Sequence, residues 1–307
     1  KEKREILASL ADGATQIVFG THALIQDTVK LKCASLVVID EQHRFGVKQR
    51  LKLTSLNLEN TELVPDVLVM TATPIPRTLC LTAYGDMDLS IIAEKPPGRT
   101  PIQTTVLAES KIPDVANALQ RVIDKGEQVY WVCPLVEESE KSDLMAATQR
   151  FEELVSIYCS DDIALLHGKM KPKEKDEVMT EFKDGKYKIL VSTTVIEVGV
   201  DVPNATTMVI EHAERFGLAQ LHQLRGRVGR GALQSNCLLV HSNKLSRVAK
   251  DRLEIMRQSE DGFLIAEKDM ELRGPGETLG THQSGHVITK IADLQNDKDL
   301  VTEARNL

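Results

Sequence analysis

The chain has 307 residues, of which 42% are apolar. This is enough for about two domains with a buried core each, and it excludes a small disulfide-stapled module. The 38 basic and 45 acidic side chains give a net charge of −7, which argues against a surface that is cationic throughout. The five cysteines lack the two-residue spacing of zinc or redox pairs, and no apolar run reaches the roughly 18 residues of a membrane span.

Short apolar runs rich in β-branched residues recur along the chain and predict strands buried on both faces of a parallel sheet. These runs are Gln16–Phe19, Leu36–Ile39, Val67–Met70, Val129–Val132, Ile163–Leu166, Ile189–Val191, Met208–Ile210 and Cys237–Val240. Apolar residues at three- and four-residue steps predict a helix over 112–123 that stops at Gly126, and Pro172 and Gly185 bracket another. The alternation of strands and helices predicts an α/β fold.

Three prolines and a glycine fall within residues 95–101 and predict a linker. The predicted organisation is a first domain at 1–95, a linker at 96–101, a second domain at 102–243 and an appendage at 244–307. In the appendage, residues 245–258 and 263–272 show amphipathic helical patterns, and a glycine-rich loop follows. This helical hairpin either acts as a lever or caps the sheet of the second domain.

Two adjacent carboxylates, Asp40 and Glu41, follow the apolar run Leu36–Ile39. Open α/β sheets bind ligands at the carboxyl ends of their strands, and the Mg²⁺ of a bound nucleotide requires oxygen ligands there. Asp40 is suited to hold the metal through water, and Glu41 to orient and deprotonate an attacking water. The alternative is a strand that ends in acidic turn residues.

Hydroxyl side chains follow two other predicted strands. Thr71 and Thr73 come after the run that ends at Met70, where they either sense the neighbouring carboxylates or form an ordinary turn. Thr193 and Thr194 precede a loop that contains Gly199 and Asp201. The threonines are suited to phosphate oxygens and Asp201 to a ribose hydroxyl, unless the segment is a plain strand-to-helix connection.

Three arginines fall within six residues between Gln223 and Arg230, with glycines at positions 226 and 229. The spacing predicts Arg227 and Arg230 on one face of a helical turn, and the glycines permit close approach of a phosphate. A guanidinium is suited to stabilise charge on a transferring phosphoryl group. The alternative is the solvated basic end of a helix.

Together these stretches resemble the helicases and translocases of superfamily 2, whose motor is a pair of RecA-like lobes of the P-loop NTPase type with ATP in the cleft between them. The similar stretches are Gly20–His22 (motif Ib), Asp40–His43 (Walker B motif II), Thr71–Thr73 (motif III), Val129–Leu135 (motif IV), Leu166–Gly168 (a strand-end motif that touches nucleic acid), Thr193–Asp201 (motif V) and Gln223–Arg230 (motif VI).

The resemblance narrows at Asp40–Gly46, Thr71–Leu79 and Phe216–Gly231, which are similar to the RecG family of bacterial double-stranded-DNA translocases. Members of that family reverse stalled forks and migrate Holliday junctions. Leu272–Gly285 resembles the TRG motif, a helical hairpin and loop that the RecG family shares with the transcription-repair coupling factors. Membership of the transcription-repair coupling factors is the alternative, although the sequences of the linker and of the segment around Arg273 are more similar to RecG.

The resemblance implies an ATP-dependent DNA helicase with ATP and Mg²⁺ as cofactors. The implied catalytic residues are Asp40 (which also holds Mg²⁺ through water), Glu41, Arg227 and Arg230. Those implied in ATP binding and coupling are His43, Thr71, Thr73, Gly199, Asp201 and Gln223. Those implied in DNA contact and translocation are Thr21, His22, His167, Thr193, Thr194, Arg273 and Gln283.

The implied partner is branched double-stranded DNA, meaning forks and Holliday junctions, with single-stranded-DNA-binding protein as a further partner and no membrane. The resemblance also implies a monomeric motor in the bacterial cytoplasm, associated with the nucleoid. Phosphates are expected at local basic stripes. These stripes are Arg44, Lys48, Arg50 and Lys52; Arg225, Arg227 and Arg230; and Lys244, Arg247, Lys250 and Arg252.

One family feature is missing from the sequence: it contains no Gly-x-x-x-x-Gly-Lys-Ser/Thr, the Walker A loop that cradles phosphates. We therefore expect the carboxyl-terminal part of a longer polypeptide, with one truncated lobe, one complete lobe and the TRG hairpin, and with no ATP hydrolysis by this part alone. A degenerate motor and a non-catalytic nucleic-acid-binding module are the alternatives.

Overall fold

In a computed structural model of the protein, the structure describes residues 2–26, 28–41, 64–71, 88–94, 98–134, 140–194 and 200–273. The chain divides into two compact units, residues 1–74 and residues 75–307. The predicted linker at 96–101 begins with two residues outside the described ranges, so that its position stays a prediction.

In the first unit, helix α1 (Glu2–Asp12) and a short 3₁₀ helix (His22–Ile25) precede two strands, β1 (Leu36–Ile39) and β2 (Asp66–Val69). The strands pair in parallel, with Leu36 opposite Asp66 and Ile39 opposite Val69. Ile39 packs with Ile25 and with the inward residues of β2. On the other face Leu36 and Val38 are more than half exposed, so β1 is buried on one face only.

The strand predicted at Gln16–Phe19 is wrong, because residues 14–20 form no helix or strand. Ile17 is 73% and Phe19 is 92% exposed. A run of apolar residues forms a strand only where a neighbouring strand satisfies its backbone hydrogen bonds. No described residue supplies such a ladder to this segment.

The second unit alternates strands and helices, as predicted from the spacing of the apolar runs. Its elements are β3 (Ile102–Ala108), α2 (Ile112–Asp124), β4 (Gln128–Val132), α3 (Glu140–Ile157), β5 (Ile163–Leu166), α4 (Pro172–Lys183), β6 (Ile189–Ser192), β7 (Ala205–Ile210), α5 (Leu218–Arg225), β8 (Ser235–His241), α6 (Arg247–Gln258) and α7 (Gly262–Arg273). Short 3₁₀ helices lie at Glu109–Lys111, Ser160–Asp162 and Ala213–Arg215.

Six strands form one all-parallel sheet in the order β3-β8-β7-β4-β6-β5. Successive residues of β4 point to opposite faces, as the pleat of a strand requires. Tyr130 and Val132 belong to the core beneath α4 to α7, whereas Val129 and Trp131 belong to the core beneath α2 and α3. The sheet therefore lies between two helical layers. This confirms the prediction of strands buried on both faces for the central strands β4, β6 and β7, whereas the prediction is wrong for β1 and β2 of the first unit.

Two elements of this unit were not predicted. Strand β3 lies at one edge of the sheet and, among the described strands, pairs with β8 alone. Its polar residues are tolerated because it is mostly half-buried. Among the side chains of helix α3 that the structure describes, residues 144–157, only Ala147 and Leu154 are fully buried, with Phe151 and Val155 packed beside them. Its apolar stripe is too sparse to stand out in the sequence.

Candidate nucleotide and nucleic-acid site

The two arginines Arg227 and Arg230 lie in a loop, residues 226–231, that follows α5; we call it the arginine loop. Leu218, Leu221 and Leu224 bury α5 against the sheet. The helix ends at Arg225, and the N–H of Arg227 donates to the carbonyl of Leu224 at 3.0 Å. The prediction that both arginines sit on a helical turn is therefore wrong, since the regular helix stops two residues before the first of them.

Close packing fixes the course of the arginine loop. Gly229 has φ of +72°, and a Cβ atom on it would lie 2.8 Å from Cγ1 of Ile102. A Cβ atom on Gly231 would lie 2.7 Å from the carbonyl oxygen of Pro203. Since such distances are shorter than van der Waals contact, both glycines are required where the loop passes between β3 and the segment after Asp201.

The loop brings together two residues that the sequence assigned to different motifs. Arg230 Nη1 lies 3.4 Å from Asp201 Oδ1, and Arg230 Nε donates to the carbonyl of Gly226 at 3.2 Å. Burial raises the pKa of the nearby Tyr130 hydroxyl to about 12, although the positive charges of Arg227 and Arg230 act in the opposite direction. Two guanidinium groups thus share one partly exposed, positively charged surface.

Other predicted nucleotide residues of this unit are only partly placed. Gln223 is half-buried on α5, in the turn that leads to the arginine loop. Gly199 lies outside the described residues, so that the motif V segment is described only up to Thr194 and again from residue 200. The side chain of Asp201 is 57% exposed despite its contact with Arg230. Its carboxylate is thus accessible to a ligand.

A second group of predicted residues lies at the carboxyl ends of β5 and β6. The N–H of Thr193 donates to the carbonyl of Leu166 at 3.2 Å, which places Thr193 beside His167. The hydroxyl oxygens of Ser192 and Thr193 and the Nδ1 atom of His167 are buried, and no described residue hydrogen-bonds to them. Buried polar atoms without partners carry a free-energy cost, which a bound ligand with complementary groups would remove.

Lysines follow His167 along the chain at positions 169, 171, 173 and 175, and they were not among the predicted site residues. Lys169, Lys171 and Lys173 are exposed, and Lys175 Nζ donates to the carbonyl of Gly168 at 2.7 Å. Burial, with the charges of Lys175 and Lys169, lowers the pKa of His167, so the imidazole is neutral at pH 7. The alternation of lysines along residues 169–175 is a signal that could have identified this patch as a phosphate-binding surface.

Two arginines that were predicted to bind phosphate contact the protein backbone instead. Arg225 is 2% exposed, and its Nη1 atom donates to the carbonyls of Met256 at 2.9 Å and Ser259 at 2.8 Å. Arg252 Nη1 donates to the carbonyl of Phe216 at 3.1 Å. For these two residues the prediction is wrong, because each guanidinium ties α5 or the segment before it to α6. Lys244, Arg247 and Lys250 are exposed, as a phosphate-binding role requires.

In the first unit, Asp40 and Glu41 follow β1 and Thr71 follows β2, so that the parallel pairing places all three at one edge. The N–H of Glu41 donates to Asp40 Oδ1 at 2.9 Å. Glu41 has φ of +52°, a left-handed conformation that costs about 1 kcal/mol in a non-glycine residue and is enriched at functional sites. The exposed Asp40 carboxylate fits a water-bound Mg²⁺ through its oxygen atoms.

The remaining predicted residues are described in part or not at all. Thr21 is exposed just before the 3₁₀ helix that begins at His22, and Arg273 is the last residue of α7. His43, Thr73 and Gln283 lie outside the described residues, as do the basic residues predicted at 44–52.

The sequence reading also missed a buried polar cluster at the ends of β4 and β7. Glu211 Oε1 accepts from Trp131 Nε1 at 2.5 Å and from Arg150 Nε at 2.6 Å, and Arg150 Nη2 donates to Glu211 Oε2 at 3.1 Å. The guanidinium carbon of Arg150 lies 5.6 Å from the Trp131 ring centroid. The cluster joins α3 to the sheet, and no sequence signal relates residues so far apart.

The described part of the chain holds neither a ready-made metal cluster nor a membrane span. There, no group of three or more His, Cys, Asp or Glu side chains is placed to hold a metal ion. Within the same residues, no helix combines the length and the apolar composition needed to cross a membrane. The prediction of Mg²⁺ bound through water at Asp40 does not require such a cluster, because a nucleotide-bound Mg²⁺ takes one or two carboxylates and completes its shell with water and phosphate.

The fold and the site define the class of protein. Residues 1–81 match the family model of DEAD/DEAH box helicases, and residues 113–232 match the helicase conserved C-terminal domain. The second unit, with its parallel sheet and its arginine loop after α5, has the RecA-like fold of these enzymes. The chain thus has the RecA-like helicase fold, which confirms the predicted fold class.

The family follows from closer relatives. Residues 259–307 match the model "ATP-dependent DNA helicase RecG, domain 3, C-terminal". The ATP-dependent DNA helicase RecG of Escherichia coli K12 is 51% identical over 300 residues, which are 97% of this chain and 43% of that protein. The same-named protein of Streptococcus pneumoniae serotype 4 is 52% identical over 307 residues, which are all of this chain and 45% of the relative.

A solved structure is also similar, that of RecG bound to a three-way DNA junction. Its identity is 44% and its TM-score is 0.70, and the match covers 98% of this chain and 38% of that one. The chain belongs to the RecG family, as its motifs predicted. It spans less than half the length of the curated relatives that it matches.

Proposed function

We propose that the chain is a working part of an ATP-dependent DNA translocase that remodels branched DNA such as forks and Holliday junctions. Membership of the RecG family supports this function, as does the three-way junction bound by the similar RecG structure. The observation that carries the proposal is the arginine loop, in which Arg230 is held beside Asp201 at 3.4 Å. A loop fixed by packing on both sides presents its guanidinium groups without further ordering.

In the second unit, Arg227 and Arg230 stabilise the negative charge that develops on the transferring phosphoryl group of ATP. A planar guanidinium donates two parallel hydrogen bonds to phosphate oxygens, which suits it to this role. Asp201, whose side chain is 57% exposed, binds a ribose hydroxyl and keeps Arg230 oriented. Gln223 and Gly199 assist nucleotide binding and coupling.

In the first unit, Asp40 would hold Mg²⁺, and Glu41 accepts a proton from the attacking water. An Mg²⁺ ion held there would supply positive charge that offsets the negative charge of the phosphates. The left-handed backbone of Glu41, with φ of +52°, sets the direction of its carboxylate after β1. Thr71, at the end of the neighbouring strand β2, is placed to respond to the state of these carboxylates, with Thr73 and His43 in the same coupling role.

DNA binds at the carboxyl ends of β5 and β6 through His167, Thr193 and Thr194. The buried hydroxyl of Thr193 lacks a partner among the described residues, and a phosphate oxygen would accept its hydrogen bond. Lys175 and Lys169 add positive charge near His167, and Lys171 and Lys173 are exposed in the same segment. Thr21, His22, Arg273 and Gln283 complete the DNA-contacting and translocating set.

The decisive experiment replaces Arg230 in the complete gene product, with Arg257→Ala as the control. Arg257 is an exposed arginine of α6 that pairs with Glu254 at 2.6 Å. Arg230→Ala should lower kcat for ATP hydrolysis on a three-way DNA junction by about 10³-fold, the order of effect of an arginine finger. ATP binding, followed with a fluorescent ATP analogue, should stay within about threefold. Normal turnover by Arg230→Ala would contradict the assignment of the finger.

The 307-residue chain by itself should hydrolyse no ATP, because its sequence contains no Walker A loop to hold the phosphates. The measurement is phosphate release by the purified chain with and without junction DNA, beside the complete gene product. DNA-stimulated hydrolysis by the chain alone would overturn this part of the proposal. Absence of hydrolysis by the complete gene product as well would favour a non-catalytic nucleic-acid-binding module.

A further inference from the structure

The end of α6 and the short segment that joins it to α7, residues 256–261, contact residues on both flanks of the arginine loop. One flank is Arg225, which directly precedes the loop. Its Nη1 atom donates to the carbonyls of Met256 and Ser259, at 2.9 Å and 2.8 Å. Because Arg225 is only 2% exposed, water cannot replace these bonds, and the end of α5 is fixed to this segment.

The other flank is the beginning of β3. The carboxylate of Glu260 accepts a hydrogen bond from the backbone N–H of Ile102. The side chain of Ile102 is the surface on which Gly229 rests, with 2.8 Å between Cγ1 and the position that a Cβ atom of Gly229 would occupy. A shift of Ile102 therefore moves the wall of the arginine loop directly, since there is no free space between them.

The segment itself is held by local hydrogen bonds. The N–H of Asp261 donates to the Ser259 hydroxyl at 3.0 Å, and the N–H of Phe263 donates to Asp261 Oδ1 at 2.8 Å. The second bond caps the amino terminus of α7. Glu260 thus projects from a fixed backbone, which is the requirement for a side chain that positions another group.

Charge connects the two flanks. Burial lowers the pKa of Arg225, and the negative charge of Glu260 acts in the opposite direction. Glu260 therefore lies within electrostatic reach of Arg225 while it accepts a hydrogen bond from Ile102. The Glu260 carboxylate thus accepts a hydrogen bond from one flank of the arginine loop and acts electrostatically on the other. Glu260 is not among the nucleotide-binding or DNA-binding residues assigned above.

We propose that Glu260 is a positioning residue for Arg227 and Arg230, acting through its hydrogen bond to the Ile102 N–H and the contact of Ile102 with Gly229. The role in ATP hydrolysis rests on the proposed function of the arginine loop, whereas the positioning itself does not. When Glu260 loses its acceptor, the start of β3 loosens and the arginine loop samples more conformations.

The first arm measures hydrogen–deuterium exchange in the 307-residue chain. The amides of Gly226, Arg227 and Val228 donate to the carbonyls of His222, Leu224 and Arg225 at the end of α5, at 3.0 Å, 3.0 Å and 3.2 Å. Their exchange therefore reports on how firmly the first residues of the loop are ordered against α5. Glu260→Ala should accelerate exchange at these amides and at Ile102 by about tenfold, as expected when one hydrogen bond is removed. Glu260→Gln retains an acceptor oxygen and should keep the acceleration below about threefold.

The matched control is Glu254→Ala on α6, whose carboxylate contacts Arg257 and Gln258 at the surface. This variant should leave exchange at Ile102 and in the arginine loop unchanged. Unchanged exchange in Glu260→Ala would overturn the proposal, and so would equal acceleration in Glu260→Ala and Glu260→Gln. Acceleration spread evenly over the whole second unit in Glu260→Ala would also overturn it, because it would show general destabilisation.

The second arm measures ATP hydrolysis by the complete gene product on junction DNA. Glu260→Ala should lower kcat by about tenfold with KM for ATP within about twofold, because binding is retained while the arginines are misplaced. Glu260→Gln should restore most of the rate. Wild-type kcat in Glu260→Ala would contradict the positioning role in catalysis. If the wild-type product shows no hydrolysis, the proposed function fails, and the exchange arm still decides whether Glu260 orders the loop.

Discussion

Arginines have different roles in two neighbouring regions of the second unit. One region is the contact between α5 and α6, and the other is the arginine loop that follows α5. At the contact, Arg225 and Arg252 donate to backbone carbonyls of the neighbouring segment. In the loop, Arg227 and Arg230 are partly exposed, and Arg230 pairs only loosely with Asp201 at 3.4 Å. The position of each arginine relative to the end of α5 determines its role, because the last turn of α5 faces α6 whereas the residues after it do not. Arginines two residues apart therefore serve packing and phosphate chemistry separately.

The largest effect is expected at the buried contact. Arg225→Ala should lower the free energy of unfolding by about 3 kcal/mol, because it leaves the carbonyls of Met256 and Ser259 buried without a donor. Arg225→Lys should also be destabilising, since one ammonium cannot reproduce the planar guanidinium. Urea unfolding at pH 7 measures both variants.

The matched variant for this comparison is Arg227→Ala in the arginine loop. It should change the free energy of unfolding by less than about 0.5 kcal/mol, as is usual for a side chain away from the core. If Arg225→Ala and Arg227→Ala proved equally stable, the division into packing and functional arginines would not hold. A loss of about 3 kcal/mol in Arg227→Ala would likewise show that Arg227 has a packing role.

The sequence predicted the central strands of the second unit well, and burial explains why. Strands β4, β6 and β7 are buried on both faces, which requires nearly continuous apolar runs. Edge strand β3 has no such requirement, and its sequence does not reveal it. In the first unit, Gln16–Phe19 has the composition of a strand but forms none, because composition does not tell whether a partner strand is present.

The site was predictable at the level of motifs and less so at the level of contacts. The motifs identified Asp201 and Arg230, and the structure pairs them at 3.4 Å. The same motif grouped Arg225 with them, although only the end of α5 shows that its side chain turns inward. The cluster of Trp131, Arg150 and Glu211 could not be predicted, because these residues meet only through the pairing of β4 with β7 and the packing of α3.

An effect of intermediate size is expected at Glu214, which belongs to the buried contact because its backbone carbonyl accepts a hydrogen bond from Arg252 at 3.4 Å. Burial alone would raise the pKa of the Glu214 carboxyl, but hydrogen bonds from His212, from its own backbone N–H and from Ser242 lower it to about 2. The hydrogen bond with Glu214 in turn raises the pKa of His212. A lowered carboxyl pKa adds stability above the unfolded value of about 4.5, and a raised histidine pKa adds it below about 6.5.

Glu214→Gln should therefore be less stable than the wild type by about 2 kcal/mol near pH 5.5, where both charges are present. The difference should shrink as the pH falls from about 4.5 towards 2, and it should also shrink as His212 loses its proton above neutrality. Urea midpoints measured from about pH 3 to pH 9 test this, with the exposed Glu177→Gln as control. A difference that grows on acidification would show that the pair does not stabilise this segment.

The smallest effect is expected on the functional side, at the pair of Asp201 and Arg230. Because the Asp201 side chain is 57% exposed and the two charged atoms are 3.4 Å apart, Asp201→Asn should change the free energy of unfolding by less than about 0.5 kcal/mol. The same change should lower the affinity of the complete gene product for ATP, because Asp201 is proposed to bind a ribose hydroxyl. A stability loss of about 2 kcal/mol or more would place this pair with the buried arginines, and the contrast between the two regions would then disappear.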